Sequence, residues 1–508
     1  MSLRSICISY VRRATRLALL AGVSVALAST PALAQFGGGG GGFGGGGGGF
    51  GGGGGGFGGG GGGGGNFGGG TIGNSPFSGV AVDADGVVRR VTDVDPTGRL
   101  AAMRADQAIA ALDQNIVRPS KLRKVSLTRL IKLVNAAIAE GRELDDAMKH
   151  LAGLTRIQYV FYYPETQDIV LAGPAEGWFN GPGDRVVGLE TLRPVLELQD
   201  LAVALRMFGP DNSNSRNNSL VYCSIDPTQE GLSRMQQFLN DLGGYHTSID
   251  AQKEQFIVDG LRESLGMHTV TVGGIPANTH FAQILVEADY RMKLIGIGLE
   301  QPPVDIRSFV SIASASAIAR NALQRWYFVP NYERIQVTED GNAAEFIGGG
   351  VKLVGEEEAV SAAGGRSGTG RQNRSSMRFT RGFTEKFPEL AELEPVYGQL
   401  RNCVDMLIAT AFIKHQGLFE EAGIATLGAL GNESQYPLQT YNAPKQVATA
   451  VNSIWKGNRL LNPVGGGVEI RPQLALDPDN IKSDDGSAAK AHDAIDISSL
   501  AADQWWWD

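Results

Sequence analysis

The chain has 508 residues, with 45 Lys and Arg against 53 Asp and Glu, a net charge of −8. That acidic balance excludes general nucleic-acid binding, which needs a basic footprint. Past the N-terminus no run reaches about 18 apolar residues, so no membrane-spanning helix is expected in the rest of the chain.

Arg4, Arg12, Arg13 and Arg16 precede an apolar run from Leu17 to Ala28, and Ala32-Leu33-Ala34 offers a small-x-small site. These parts predict a secretory signal peptide over 1–34, cleaved after Ala34. The run of about 12 residues is too short to span a bilayer. The expected location is the periplasm, the cell surface or outside the cell, and loss of the four arginines takes the net charge to −12. No Cys follows the cleavage point, so no lipoprotein anchor is expected. Residues 35–76 are nearly all Gly, punctuated by Phe36, Phe43, Phe50, Phe57 and Phe67. Runs of Gly cost too much backbone entropy for a helix, and the three-residue period and prolines of collagen are missing. A disordered tether results, with weak self-association through its Phe residues as the sharper alternative.

The body, 77–472, opens on a hairpin over 79–91 that turns at Asp85-Gly86. Helices are predicted over 99–114, 125–140 and 143–151, the last with Lys149 and His150 at the end favoured by the helix dipole. A second hairpin spans 156–173. A strand at 220–225, helices at 233–242 and 251–265, a strand at 267–272 and a helix at 279–292 follow. A three-stranded meander is expected at 326–329, 334–338 and 344–354, then a Gly/Ser/Arg stretch over 359–376. Helices at 396–414 and 444–455 and a strand at 468–471 complete the body. Strands and helices cluster rather than alternate, which predicts an α+β fold of antiparallel hairpins, a meander and packed helices. Subdomain boundaries are expected near 210–219 and 359–376. From Leu474 to Asp508 eight Asp and two Lys give −6, which predicts an acidic disordered tail over 473–508 ending in Trp505, Trp506 and Trp507. Exposed aromatics there would mark an interaction site.

The segments LAGLTRIQYVFYYPETQDIVLAGPAEGW (151–178), VEADYRMKLIGIGLE (286–300), FVPNYERIQVTEDG (328–341), PVYGQLRNCVDM (395–406) and WKGNRLLNPVGGGVEI (455–470) are distinctive. Together they resemble a family of exported bacterial proteins known only as a domain of unknown function. The resemblance covers most of 77–472, implies one evolutionary unit there, and carries no activity.

The sequence holds no serine-hydrolase elbow, zincin motif, phosphate loop or EF-hand loop. Gly348 to Gly350 and Gly465 to Gly467 read as turns or bulges. His268, His280, Glu287 and Asp289 are the best metal-ligand set, but they lack paired-His spacing, so an ordinary half-exposed helix explains them better. Glu176 and Glu345 could pair as glycosidase carboxylates, although such a pairing has little specificity among 53 acidic residues. Tyr159, Phe161, Tyr162, Tyr163 and Trp178 read either as core or as a sugar platform. Arg366, Arg371, Arg374, Arg378 and Arg381 read as a solvated loop or as a dock for the acidic tail. Cys223 and Cys403 have the parity for a disulfide in an oxidising compartment, but both lie in apolar runs that suit buried thiols. On this basis no catalytic, cofactor-binding or metal-binding residue is assigned and no cofactor is called for. The function expected is a non-catalytic structural or binding component of the cell envelope, partnered with an envelope protein or polymer. An enzyme acting on an envelope glycan is the alternative.

Overall fold

The computed structural model describes residues 77–508 except 94, 96, 97, 211, 213–219, 243–250, 314–321, 362, 371, 372, 453, 454, 457, 458, 461–463, 495, 496 and 502. The expected signal peptide and Gly–Phe tether lie outside the described residues.

The fold is α+β, as the clustered pattern predicts. Its larger sheet has nine strands in the spatial order Phe77–Val82, Val87–Asp93, Gln446–Ala448, Met267–Gly273, Val221–Asp226, Val464–Ile470, Ala322–Asn331, Gly350–Val360 and Arg366–Gly368. A second sheet has seven, ordered Ile481–Ser483, Arg334–Val337, Ala343–Ile347, Tyr159–Tyr163, Asp168–Ala175, Ser120–Ser126 and Trp506–Trp507. Most neighbours are antiparallel; Ala322–Asn331 with Val464–Ile470 is a parallel exception. Both sheets draw strands from early and late in the chain, and Ile72–Asp508 forms one unit. Of the subdomain boundaries expected near 210–219 and 359–376, the first lies almost wholly outside the described residues.

The predicted meander exists but is split between the sheets. Ala322–Asn331 and Gly350–Val360 pair in the larger one, while Arg334–Val337 and Ala343–Ile347 pair in the smaller. The chain leaves at Tyr332 and returns through Gly348 (φ 134°), where a Cβ would lie 2.8 Å from the Glu333 nitrogen. The crossing is bolted by Asp405, which accepts from the Tyr332 hydroxyl at 2.6 Å and from Arg156 at 3.0 Å. Gly465 to Gly467 correct the turn reading: they sit inside a central strand, where a Cβ on Gly467 would fall 1.9 Å from the Cys223 carbonyl oxygen.

Helices cover the sheet because their apolar positions recur around most of their circumference. Pro395–Gln416 starts on Pro395, ends at Gly417 (φ 70°), and is buried from Pro395 to Ile413. His280–Gly296 is capped by the Thr279 hydroxyl and packs between the sheet and the helices Leu198–Phe208 and Pro395–Gln416. It is almost wholly buried, not half-exposed. Gly296 makes room for Trp326, whose ring lies 2.1 Å from where a Cβ would stand. Trp326 and Phe328 share that face of the sheet, whereas Leu323 points the other way and packs with the helix pair Gln229–Asp241 and Ala251–Leu265.

Two further elements depart from expectation. Residues 444–455 hold the short strand Gln446–Ala448 in place of a helix, because that segment fills the gap between Val87–Asp93 and Met267–Gly273. The acidic tail is not disordered. Ile481–Ser483 adds in parallel to Arg334–Val337, and Trp506–Trp507 pairs antiparallel with Ser120–Ser126. Trp505 and Trp507 are buried. Burying apolar side chains against a ready sheet edge outweighs the tail's local preference for solvent.

Candidate functional site

The helix Leu198–Phe208 lies in a stretch where no element is predicted from sequence, yet its Leu198, Leu201, Ala202 and Leu205 follow helical spacing and are buried. Glu197 is its N-cap residue and Asp200 falls in its first turn, the end where the helix dipole stabilises carboxylates. The helix His280–Gly296 begins beside it, so its first residue meets both acids. His280 Nδ1 is 2.8 Å from Asp200 Oδ2, and Nε2 is 3.8 Å from Glu197 Oε1. Burial alone would lower the imidazole pKa, but Asp200 and Glu197 together lift it to about 9. Gln199 donates to Glu197 Oε2 at 2.6 Å.

Glu197, Gln199 and His280 floor a cleft of about 1140 Å³, which also takes lining from the hairpin at 77–93, the helix Arg99–Ala111, the loop after Trp178 and residues 439–442. Arg185 and Glu287 face each other in its wall at 2.5 Å, and Arg185 also donates to Gln399. Glu287 continues to Arg291 at 3.7 Å, and Arg291 to Glu300 and Glu394 at 2.8 and 2.7 Å. The result is a buried chain of alternating charge. His150 lies over Trp178 with ring centroids 5.3 Å apart. Burial pushes its pKa down, and its Nδ1 has no partner among the described residues. His150 does stand at a helix end, as the C-cap of Asp146–Lys149, but its burial against Trp178 disfavours the charge that the helix dipole would reward.

The four residues grouped from sequence as metal ligands separate into different networks. His280 joins Glu197 and Asp200, and Glu287 joins Arg185. Asp289 pairs with Lys293 at 2.8 Å, and burial lifts its pKa to about 6 despite that partner. His268, on the strand Met267–Gly273, is driven down to about 4 by burial and by Lys293. Glu197, Asp200 and His280 are the one group of metal-capable side chains found among the described residues, with one ligand atom from each lying within 4.8 Å of the others.

Glu176 and Glu345 are not brought together. Glu345 registers with Tyr159 and Tyr159 with Ala172. Glu176 thus lies two strands across and four residues along, on the order of 15 Å away at ordinary strand spacings, whereas glycosidase carboxylates need roughly 5–9.5 Å. Glu176 instead accepts from the Glu190 amide at 2.7 Å, and Glu345 from the Tyr159 hydroxyl at 2.9 Å. Phe161, Tyr162 and Tyr163 are core residues, and of the aromatic group only Trp178 lines the cleft. Arg366 pairs with Asp226 and Glu358, and Arg381 with Glu385. Arg371 lies outside the described residues. The tail docks elsewhere, on Arg123 and Arg129. Cys223 and Cys403 are buried free thiols, not a disulfide.

Residues 223–309 match a protein family described as protein of unknown function, DUF1598. The match takes in the strand carrying Cys223, the strand carrying His268 and the whole helix His280–Gly296, while Glu197 and Asp200 precede it. No curated protein and no solved structure matches the chain. The matched domain carries no known function, and no helix among the described residues is long and apolar enough to cross a membrane.

Proposed function

We propose that this chain is an exported, non-catalytic binding protein of the cell envelope, and that its cleft takes a hydroxyl-rich ligand such as a cell-wall glycan. One observation carries the reading: Arg104, Lys149, Arg185 and His280, the basic groups of the cleft apart from His150, are each paired with a carboxylate that also lines it. Arg185 closes on Glu287, and His280 is clamped between two carboxylates. An imidazole held protonated is no general base at neutral pH, and among the described residues its nitrogens face carboxylates, not a hydroxyl or thiol. Asn180, Gln283 and Asn442 supply planar polar groups in front of the buried Trp178 and Phe179, a polar lining over an apolar wall that suits sugars.

A second reading, an enzyme acting on the same polymer, is favoured by His150, whose neutral ring and unpartnered Nδ1 stand in the same cleft. Titrating the full chain with a soluble cell-wall glycan fragment, and analysing the fragment afterwards, separates the two. Saturable binding with an intact fragment, weakened about tenfold or more by Arg104→Ala or Asn442→Ala, supports the binding reading. Cleavage lost in His150→Asn supports the enzyme, and no binding removes both. Export is tested by fractionating cells and sequencing the mature N-terminus, expected at Gln35.

A further inference from the structure

We infer that Glu197, Asp200 and His280 form a site for one divalent transition-metal cation at the floor of the cleft. The inference does not depend on the glycan reading. Its first support is spacing. His280 Nδ1 stands 2.8 Å from Asp200 Oδ2 and its other nitrogen, Nε2, 3.8 Å from Glu197 Oε1, and one ligand atom from each of the three side chains lies within 4.8 Å of the others. Ligand atoms bound at about 2.1 Å from a common ion stand roughly 3–3.5 Å apart, so side-chain shifts on the order of 1 Å would bring one imidazole nitrogen and the two carboxylates onto one ion. The 3.8 Å separation is too long for a hydrogen bond.

The second support is independent. Asp200 and Asn402 are each 3% exposed, and Asp200 Oδ1 and Asn402 Oδ1 have no hydrogen-bond partner among the described residues. Both residues line a small cavity of about 10 Å³, shared with Glu197 and His280. A space of that size holds one water or one ion. Leaving a buried acceptor unpaired is costly, and two such acceptors lining one space call for a cation or a water that donates twice. Charge favours the cation. Two carboxylates share one imidazole, whose second proton the metal would displace, while Arg185 is committed to Glu287 and Lys149 to Asp146. An imidazole beside carboxylates selects zinc or manganese over magnesium or calcium. Glu197 and His280 line the cleft as well as this cavity, so a bound ion would stand beside the cleft.

The test uses the full chain stripped with chelator, then dialysed against Zn²⁺ or Mn²⁺, with Mg²⁺ and Ca²⁺ as comparators. One equivalent of Zn²⁺ or Mn²⁺ per chain is expected, with affinity falling about tenfold or more in both His280→Gln and Glu197→Gln. His415→Gln, remote from the site, should bind as the parent does. Absence of stoichiometric binding, or binding indifferent to both substitutions, overturns the site. Should a variant lose its native circular dichroism, anomalous diffraction from zinc-soaked crystals of the unsubstituted chain decides. A peak among the three side chains supports the site, and a water there or a peak elsewhere overturns it.

Discussion

Arg123 and the floor of the cleft are both buried and both charged, but they are finished differently. Arg123 is fully buried, and its guanidinium donates to the carbonyls of Ile116, Ala152, Asn115 and Arg118 and to both carboxylate oxygens of Asp508. The Trp506 ring lies 4.9 Å from its central carbon. Every N–H has an acceptor, so the group adds a clasp for the C-terminus and nothing to bind with. Asp200 and Asn402, by contrast, each keep an oxygen without a partner. A complete polar network holds structure, and an incomplete one holds a place for something else.

That comparison can be broken from its structural side first. Deleting Trp505 to Asp508 removes two buried indoles and the counter-ion of Arg123, and should cost about 5 kcal/mol or more in urea unfolding. A loss below about 1 kcal/mol would mean the clasp is ornamental. Asp508→Ala, which leaves the carbonyl partners of Arg123 in place and removes a half-exposed carboxylate, should cost about 2–3 kcal/mol by the same measurement.

His268 sharpens the comparison, since its Nε2 is also unpartnered yet it is a strand residue registered against Val447. Its folded pKa of about 4 lies below the ordinary 6.5, so the unfolded chain takes up the proton first. Its stabilising effect is therefore full above about pH 6.5 and is lost as pH falls toward 4. Unfolding at stepped pH should show His268→Gln sparing roughly 2 kcal/mol of that acid loss; parallel curves for parent and variant would place the proton elsewhere. The smallest effect is expected at the cleft floor. At about pH 10, above the His280 pKa of about 9, the imidazole is neutral, and Asp200→Asn then keeps the side chain's shape and alters only its bond to His280, so metal-free stability there should change by about 1 kcal/mol or less. A loss as large as that at the clasp would make Asp200 structural.

Local signals located the first hairpin, where Asp83 Oδ1 accepts from the Val87 amide and Gly86 takes φ 84°. They also located the long helix ending at Gly417, because a proline start and a glycine stop act within a few residues. The cleft was less legible. His280 and Glu287 sit on one predicted helix, but the partners that define them, Asp200 and Arg185, come from stretches where no element was expected. Helical spacing with an acidic first turn at 197–205 was the available signal for the first. The tail misled for the opposite reason. Its acidity and small residues favour solvent locally, and only the exposed edge of Ser120–Ser126 makes Trp506–Trp507 a strand.

The sequence alone determined the α+β class, the positions of most hairpins and helices, and the residues able to fill a core, since these follow from periodicity and turn chemistry over short spans. It also carries the expectation of export. The tertiary structure decided which strands share a sheet, that Gly348 marks the crossing between sheets, that the tail closes on Arg123, and that His280 answers to Glu197 and Asp200. Those outcomes rest on contacts between residues up to hundreds of positions apart, and no local pattern encodes which buried acceptor will be left without a donor.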